Sequence, residues 1–166
     1  MKRLLCLAAL LLLTACTATR GPGYRDTSVR VGSTSRFDAA RFAGEWFVRE
    51  SFGPSAGRIS LTLDQENAYL MALEGFAFDD RTAPPSVRLD IVGLARMEAR
   101  GGYFKDPLWV LWVDEGFRTA VVGTPSGAFG WIMDRSPTGG ADRIAAAREV
   151  LEWSGYDMAQ LEESVR

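Results

Sequence analysis

Trp109-Val110-Leu111-Trp112-Val113-Asp114-Glu115-Gly116-Phe117-Arg118-Thr119-Ala120-Val121-Val122 reads as strand, reversal, strand. Two runs of β-branched and aromatic residues flank an acidic cluster that ends in glycine, the composition of a tight turn. A third run, Trp131-Ile132-Met133, follows after Thr124-Pro125-Ser126-Gly127. All three runs are apolar at consecutive positions, so both faces of this part of the sheet need cover.

Working outward, further turn-forming clusters stand at Gly53-Pro54-Ser55-Ala56-Gly57, Asp64-Gln65-Glu66-Asn67, residues 79–85, Arg100-Gly101-Gly102 and Lys105-Asp106-Pro107. Seven reversals between Phe42 and Arg135 define eight segments of about twelve residues each, the spacing of an all-β sandwich or barrel. One cover for the sheet is visible beyond Ser136-Pro137. In Asp142-Arg143-Ile144-Ala145-Ala146-Ala147-Arg148-Glu149-Val150-Leu151-Glu152-Trp153, the residues Ile144, Ala147, Val150 and Leu151 fall on one helical stripe. Asp142 is the expected N-cap and Gly155 the expected residue past the C-cap. The expected fold is all-β: an eight-stranded antiparallel up-and-down barrel with one C-terminal α-helix packed outside. Eight strands close around a space that side chains fill or that holds one small ligand.

Composition narrows the chemistry. The chain has 166 residues, enough for one domain, with 47% hydrophobic and 11% aromatic content. Its 19 basic and 21 acidic residues give no electrostatic footprint for nucleic acid. It contains no histidine, which excludes Ser-His-Asp and Cys-His catalysis and histidine-containing zinc sites. No paired carboxylates and no metal-spaced cluster stand out. Glu45, Glu50 and Glu74 read as solvated or rim charges.

The two cysteines lie near the start. Met1-Lys2-Arg3 is basic, and residues 4–13 are Leu, Cys and Ala alone; at 1.5 Å per residue this run covers about 15 Å, too little to span a bilayer. It has the form of a secretory signal. The following Leu13-Thr14-Ala15-Cys16 resembles a bacterial lipoprotein signal. That resemblance implies cleavage before Cys16, acylation of its thiol, and a chain held on a membrane by two or three acyl groups. The expected division is 1–15 signal, 16–36 acylated cysteine and flexible tether, and 37–166 folded domain. The tether is expected because residues 17–36 hold few large apolar side chains.

The folded part resembles a lipocalin. Phe37-Asp38-Ala39-Ala40-Arg41-Phe42-Ala43-Gly44-Glu45-Trp46-Phe47-Val48-Arg49 is similar to the opening of that family, a helical turn and then Gly-x-Trp on the first strand. Trp131-Ile132-Met133-Asp134-Arg135-Ser136-Pro137 is similar to its last strand, and Gly116-Phe117-Arg118-Thr119 to the turn between its sixth and seventh strands. The resemblance implies that Gly44, Trp46 and Arg135 form the closed end, with the guanidinium laid across the indole. It also implies a fatty acid or lysophospholipid in the barrel, no cofactor, no metal, and binding rather than catalysis. Together with the lipoprotein signal, it points to the envelope of a Gram-negative bacterium. Thr17, in place of a retention aspartate, points to the outer membrane facing the periplasm.

Strand alternation then suggests which residues look inward. Trp46, Val48 and Glu50 share one face of the first strand, Val110 and Trp112 one face of the sixth, and Trp131, Met133 and Arg135 one face of the last. With Trp46 and Arg135 at the floor, the expected lining is Val48, Val110, Trp112, Trp131 and Met133. Those side chains line a cavity or fill a closed core, and parity alone does not choose between the two.

Overall fold

The computed structural model describes residues 23–53, 57–75, 77–78, 81–82, 86–100 and 104–164. Its strands begin and end where turn chemistry dictates. Asp64 accepts hydrogen bonds from the backbone N–H groups of Glu66 and Ala68, closing the reversal between β2 (Arg58–Leu63) and β3 (Ala68–Glu74). Asp114 does the same for Arg118 and Thr119, between β8 (Leu108–Val113) and β9 (Thr119–Gly123). Burial works to raise the Asp114 pKa, but those N–H donors and the Arg118 guanidinium outweigh it, and the carboxyl sits below its ordinary value.

The remaining barrel strands are β1 (Gly44–Phe52), β6 (Val87–Gly93), β7 (Arg96–Ala99) and β10 (Gly130–Asp134). Each pairs antiparallel with its neighbour, and β10 returns to β1 from Phe47↔Asp134 to Phe52↔Gly130, closing an eight-stranded up-and-down barrel. A two-residue hairpin, β4 (Ala77–Phe78) with β5 (Arg81–Thr82), lies in the β3–β6 connection. A short β11 (Glu162–Glu163) adds to β1 at Glu50 and Ser51. The loops β2–β3, β6–β7 and β8–β9 lie at one end, the floor; the opposite connections form the mouth.

Eight strands were expected, but one of the seven reversals falls elsewhere. Arg100-Gly101-Gly102 and Lys105-Asp106-Pro107 belong to a single β7–β8 connection, and an eighth segment arises from a turn at residues 93–96. There Ala95 takes a positive φ of 58° while buried.

Helix α1 (Ala39–Phe42) crosses the floor, capped by the Asp38 carboxylate at the N–H of Arg41. Helix α2 (Ala141–Trp153) packs outside the barrel through Ile144, Ala147 and Leu151. Its N-cap is Gly140 with no side-chain bond, and Asp142 falls in the first turn instead. Gly155 does follow the C-cap, with a positive φ. Two salt links fasten the helix: Arg148 to Glu50 at 2.5 Å, and Arg143 to Asp134 at 3.1 Å.

Apolar side chains therefore form two clusters, one inside the barrel and one between its outer wall and α2. Two bulges decide which strand residues serve which. In β1 the register passes from Val48↔Met133 to Glu50↔Ile132, leaving Arg49 as the extra residue. In β8 it passes from Val110↔Val122 to Trp112↔Val121, leaving Leu111 extra.

Residues 23 to 36 are not a free tether. Tyr24 and Val31 pack on the outer cluster. Arg25, 5% exposed, donates to the carbonyls of Ser154 at 3.0 Å, Pro125 at 2.5 Å, and Val29. Tyr24 donates its N–H to Gly127 O at the mouth, and Ser33 Oγ donates to Leu94 O at the floor. The segment is thus a strap down the outer wall, held by part-buried hydrogen bonds that composition does not reveal. Replacing Arg25 by Ala is expected to remove the donor from three such bonds and to cost about 2 kcal/mol. Hydrogen exchange should speed up at Tyr24 and Thr34, with the barrel amides protected; unchanged exchange would show that the strap is held by its apolar contacts alone.

Candidate functional site

The floor is built around Trp46. The indole is fully buried, donates Nε1–H to Phe42 O at 2.9 Å, and lies 5.1 Å from the Phe42 ring. The Arg135 guanidinium sits 3.7 Å above the indole centroid. Its Nη2 donates to Arg41 O and Ala43 O, its Nη1 to Glu45 O, at 2.7 to 2.8 Å. Burial lowers the Arg135 pKa, but guanidinium keeps its charge in proteins. Gly44 has a φ of 98°, and a Cβ there would stand 3.1 Å from Arg135 Nη1. Both facts require glycine two residues before the tryptophan.

Above the floor the interior is apolar. Val48, Val110, Trp131 and Met133 all belong to the interior cluster. Trp112 does not: the Leu111 bulge turns it outward, where it packs on the α2 side of the wall. The Arg49 bulge likewise carries Glu50 out of the parity of Trp46 and Val48. Glu50 is buried and ion-paired with Arg148, not a rim charge; Glu45 and Glu74 are exposed. Alternation in β2 and β3 supplies inward residues that the expected lining omitted, among them Ile59, Leu61 and Met71.

Toward the mouth, aromatic rings close the barrel. Phe129 stacks on Trp131 with centroids 4.8 Å apart, and Phe104, from the β7–β8 connection, meets Phe129 at 5.4 Å and Trp131 edge-on at 6.3 Å. Between this plug and the floor remains a cavity of about 20 Å³. Trp131, Met133, Met71 and Met97 are among its walls. Such a volume holds roughly one water. Among the described residues no cluster of three or more His, Cys, Asp or Glu could hold a metal ion.

A closed eight-stranded meander with an outer C-terminal helix, a Gly-x-Trp floor and a terminal arginine over the indole form one pattern. The fold is that of a lipocalin. Residues 87–166 match the family model described as Lipocalin-like domain. Solved structures agree on the lipocalin barrel: apocrustacyanin C1 at 13% identity, lobster apocrustacyanin A1 at 14%, and apocrustacyanin C2 at 13%. Each superposes with a TM-score of 0.58 over 76% of this chain and 78% of the other. Among curated protein sequences, none matches this chain. The lipocalin fold generally houses small hydrophobic ligands, and its members are typically binding or transport proteins. Cys16, the expected lipidation site, lies outside the described residues.

Proposed function

We propose that this chain is a membrane-anchored lipocalin that takes one slender hydrophobic molecule, a fatty acid or lysophospholipid, into its barrel for storage or transport in the cell envelope. The observation that carries the reading is an interior with no charged side chain among the described residues, whose residual cavity is walled in part by Met71, Met97 and Met133. Methionine is unbranched and soft, so it re-packs around a chain more readily than Leu or Ile. Entry requires Phe104 and Phe129 to withdraw from Trp131.

The strap supports the anchored orientation. Gly23 leaves the barrel beside the mouth loop, where Tyr24 binds Gly127 O. Cys16 stands only seven residues earlier, a reach of about 25 Å at most. An acyl group on Cys16 therefore keeps the mouth close to the bilayer from which a lipid would enter. The sequence signal at Leu13-Thr14-Ala15-Cys16 and Thr17 support an outer-membrane anchor facing the periplasm.

The small cavity favours a second reading: a filled barrel that holds nothing and serves as a structural or partner-binding envelope domain. One experiment separates the two. All contacts described above lie within residues 23–164, so a chain of residues 17–166 carries the complete barrel. Purified in that form, it is expected to carry lipid in native mass spectrometry and to show quenched tryptophan emission on titration with fatty acid. Trp131→Ala is expected to change the affinity several-fold while the barrel stays folded. A dry barrel whose emission no acyl chain perturbs would leave only the second reading.

A further inference from the structure

The bulge that moves Glu50 outward also moves the next residue inward. Ser51 pairs directly with Trp131 across β1 and β10, and directly paired residues project from the same face of a sheet. Trp131 lies in the interior cluster and walls the cavity. Ser51 is 0% exposed, and its Oγ has no hydrogen-bond partner among the described residues. The other six buried polar or charged side chains, Arg25, Glu50, Asp114, Thr119, Thr124 and Asp134, all have partners. An orphaned buried hydroxyl costs free energy that alanine at the same position avoids.

We infer that the Ser51 hydroxyl is the polar contact for a bound ligand, and that the ligand group it meets is an uncharged oxygen: an alcohol, or the carbonyl of an ester. The inference rests on the ligand-binding reading above and sharpens its substrate class. Among the described residues, a carboxylate at the same depth would find a single hydroxyl and no cation. Arg135 is committed to floor carbonyls, while Arg143 and Arg148 lie on α2 outside the barrel, paired with Asp134 and Glu50. Desolvating an unpaired charge there is far more costly than desolvating an alcohol or ester. Among the proposed ligands, this favours an acyl ester whose charged head stays at the mouth over a free fatty acid drawn fully inside. Ser51 stands in the register of Trp131, on which Phe129 stacks, so the contact lies just below the plug.

The test uses residues 17–166 and three probes with the same ten-carbon chain, decan-1-ol, methyl decanoate and decanoate at pH 8, titrated against tryptophan emission. Wild type is expected to bind the alcohol and the ester at least tenfold more tightly than the carboxylate. Ser51→Ala is expected to weaken the alcohol and ester five- to tenfold, to leave decanoate within twofold, and to melt no lower than wild type. Ser51→Thr, which keeps the hydroxyl, should restore the preference. A lowered melting temperature for Ser51→Ala would show that the hydroxyl has a structural partner and would overturn the inference. So would binding that is equal in the two proteins. If wild type binds none of the three probes, the ligand-binding reading itself fails and takes this one with it.

Discussion

Trp46→Ala is expected to lower the unfolding free energy by about 4 kcal/mol, the range for deleting a fully buried large aromatic side chain. Several losses coincide at this position. The buried ring leaves a cavity at the floor against Phe42, and Phe42 O loses the indole N–H donor. Arg135 loses the aromatic face beneath it, a contact of roughly 1–2 kcal/mol where water is excluded. Arg135→Lys should cost about half as much. An ammonium is a point charge with three donors, and it cannot span the carbonyls of Arg41, Ala43 and Glu45 while lying flat over the ring. The two substitutions share one contact, so the double variant should lose less than the sum of the singles. Chemical unfolding followed by circular dichroism gives all three values. Strict additivity would mean that the guanidinium is held by the carbonyls alone and that the cation–π geometry contributes nothing.

The floor was legible in sequence because its parts are local: a helical turn, Gly44, Trp46 and a strand-ending arginine each have a recognisable neighbourhood. The eight strands were legible for the same reason, with Asp64 and Asp114 marking turns that their own carboxylates close. The interior was read less well, and the cause is physical. Parity holds only while the pleat is regular, and one inserted residue inverts it. Arg49 and Leu111 carry no signature as bulge residues, yet they send Glu50 and Trp112 outward and bring Ser51 in. Phe104 was hidden differently, beside Tyr103 in a segment of Gly, Lys, Asp and Pro that reads as a turn. The strap could not be seen because two of the three Arg25 bonds reach carbonyls a hundred residues away or more, and composition describes only near neighbours. Gly93 was the visible trace of the turn that the count of clusters missed, though the apolar Leu94 and Ala95 after it mask the reversal.

The second large effect concerns how the helix is held to the barrel. Asp134, 1% exposed, accepts from Thr119 Oγ1 at 2.5 Å and from Arg143 Nη2 at 3.1 Å through one oxygen, and from the Ser136 N–H at 2.8 Å through the other. Arg143 Nε donates in turn to Thr119 Oγ1 at 2.7 Å. The network joins β9, β10 and the first turn of α2. Asp134→Ala should cost about 3 kcal/mol, because removing one member of a buried pair leaves the other charge without its counterpart. Arg143→Ala should cost a comparable amount, since it strands a carboxylate that has almost no access to water. Removing both should cost clearly less than the sum, as neither charge is then left alone. The losses should also be local at first. Hydrogen exchange in either single variant should rise in the first turns of α2, while the β2–β3 ladder across the barrel keeps its protection until global unfolding. A double variant that loses the full sum would mean that each side chain acts through separate packing. The attachment of α2 would then rest on Ile144, Ala147 and Leu151 and on the second link between Arg148 and Glu50.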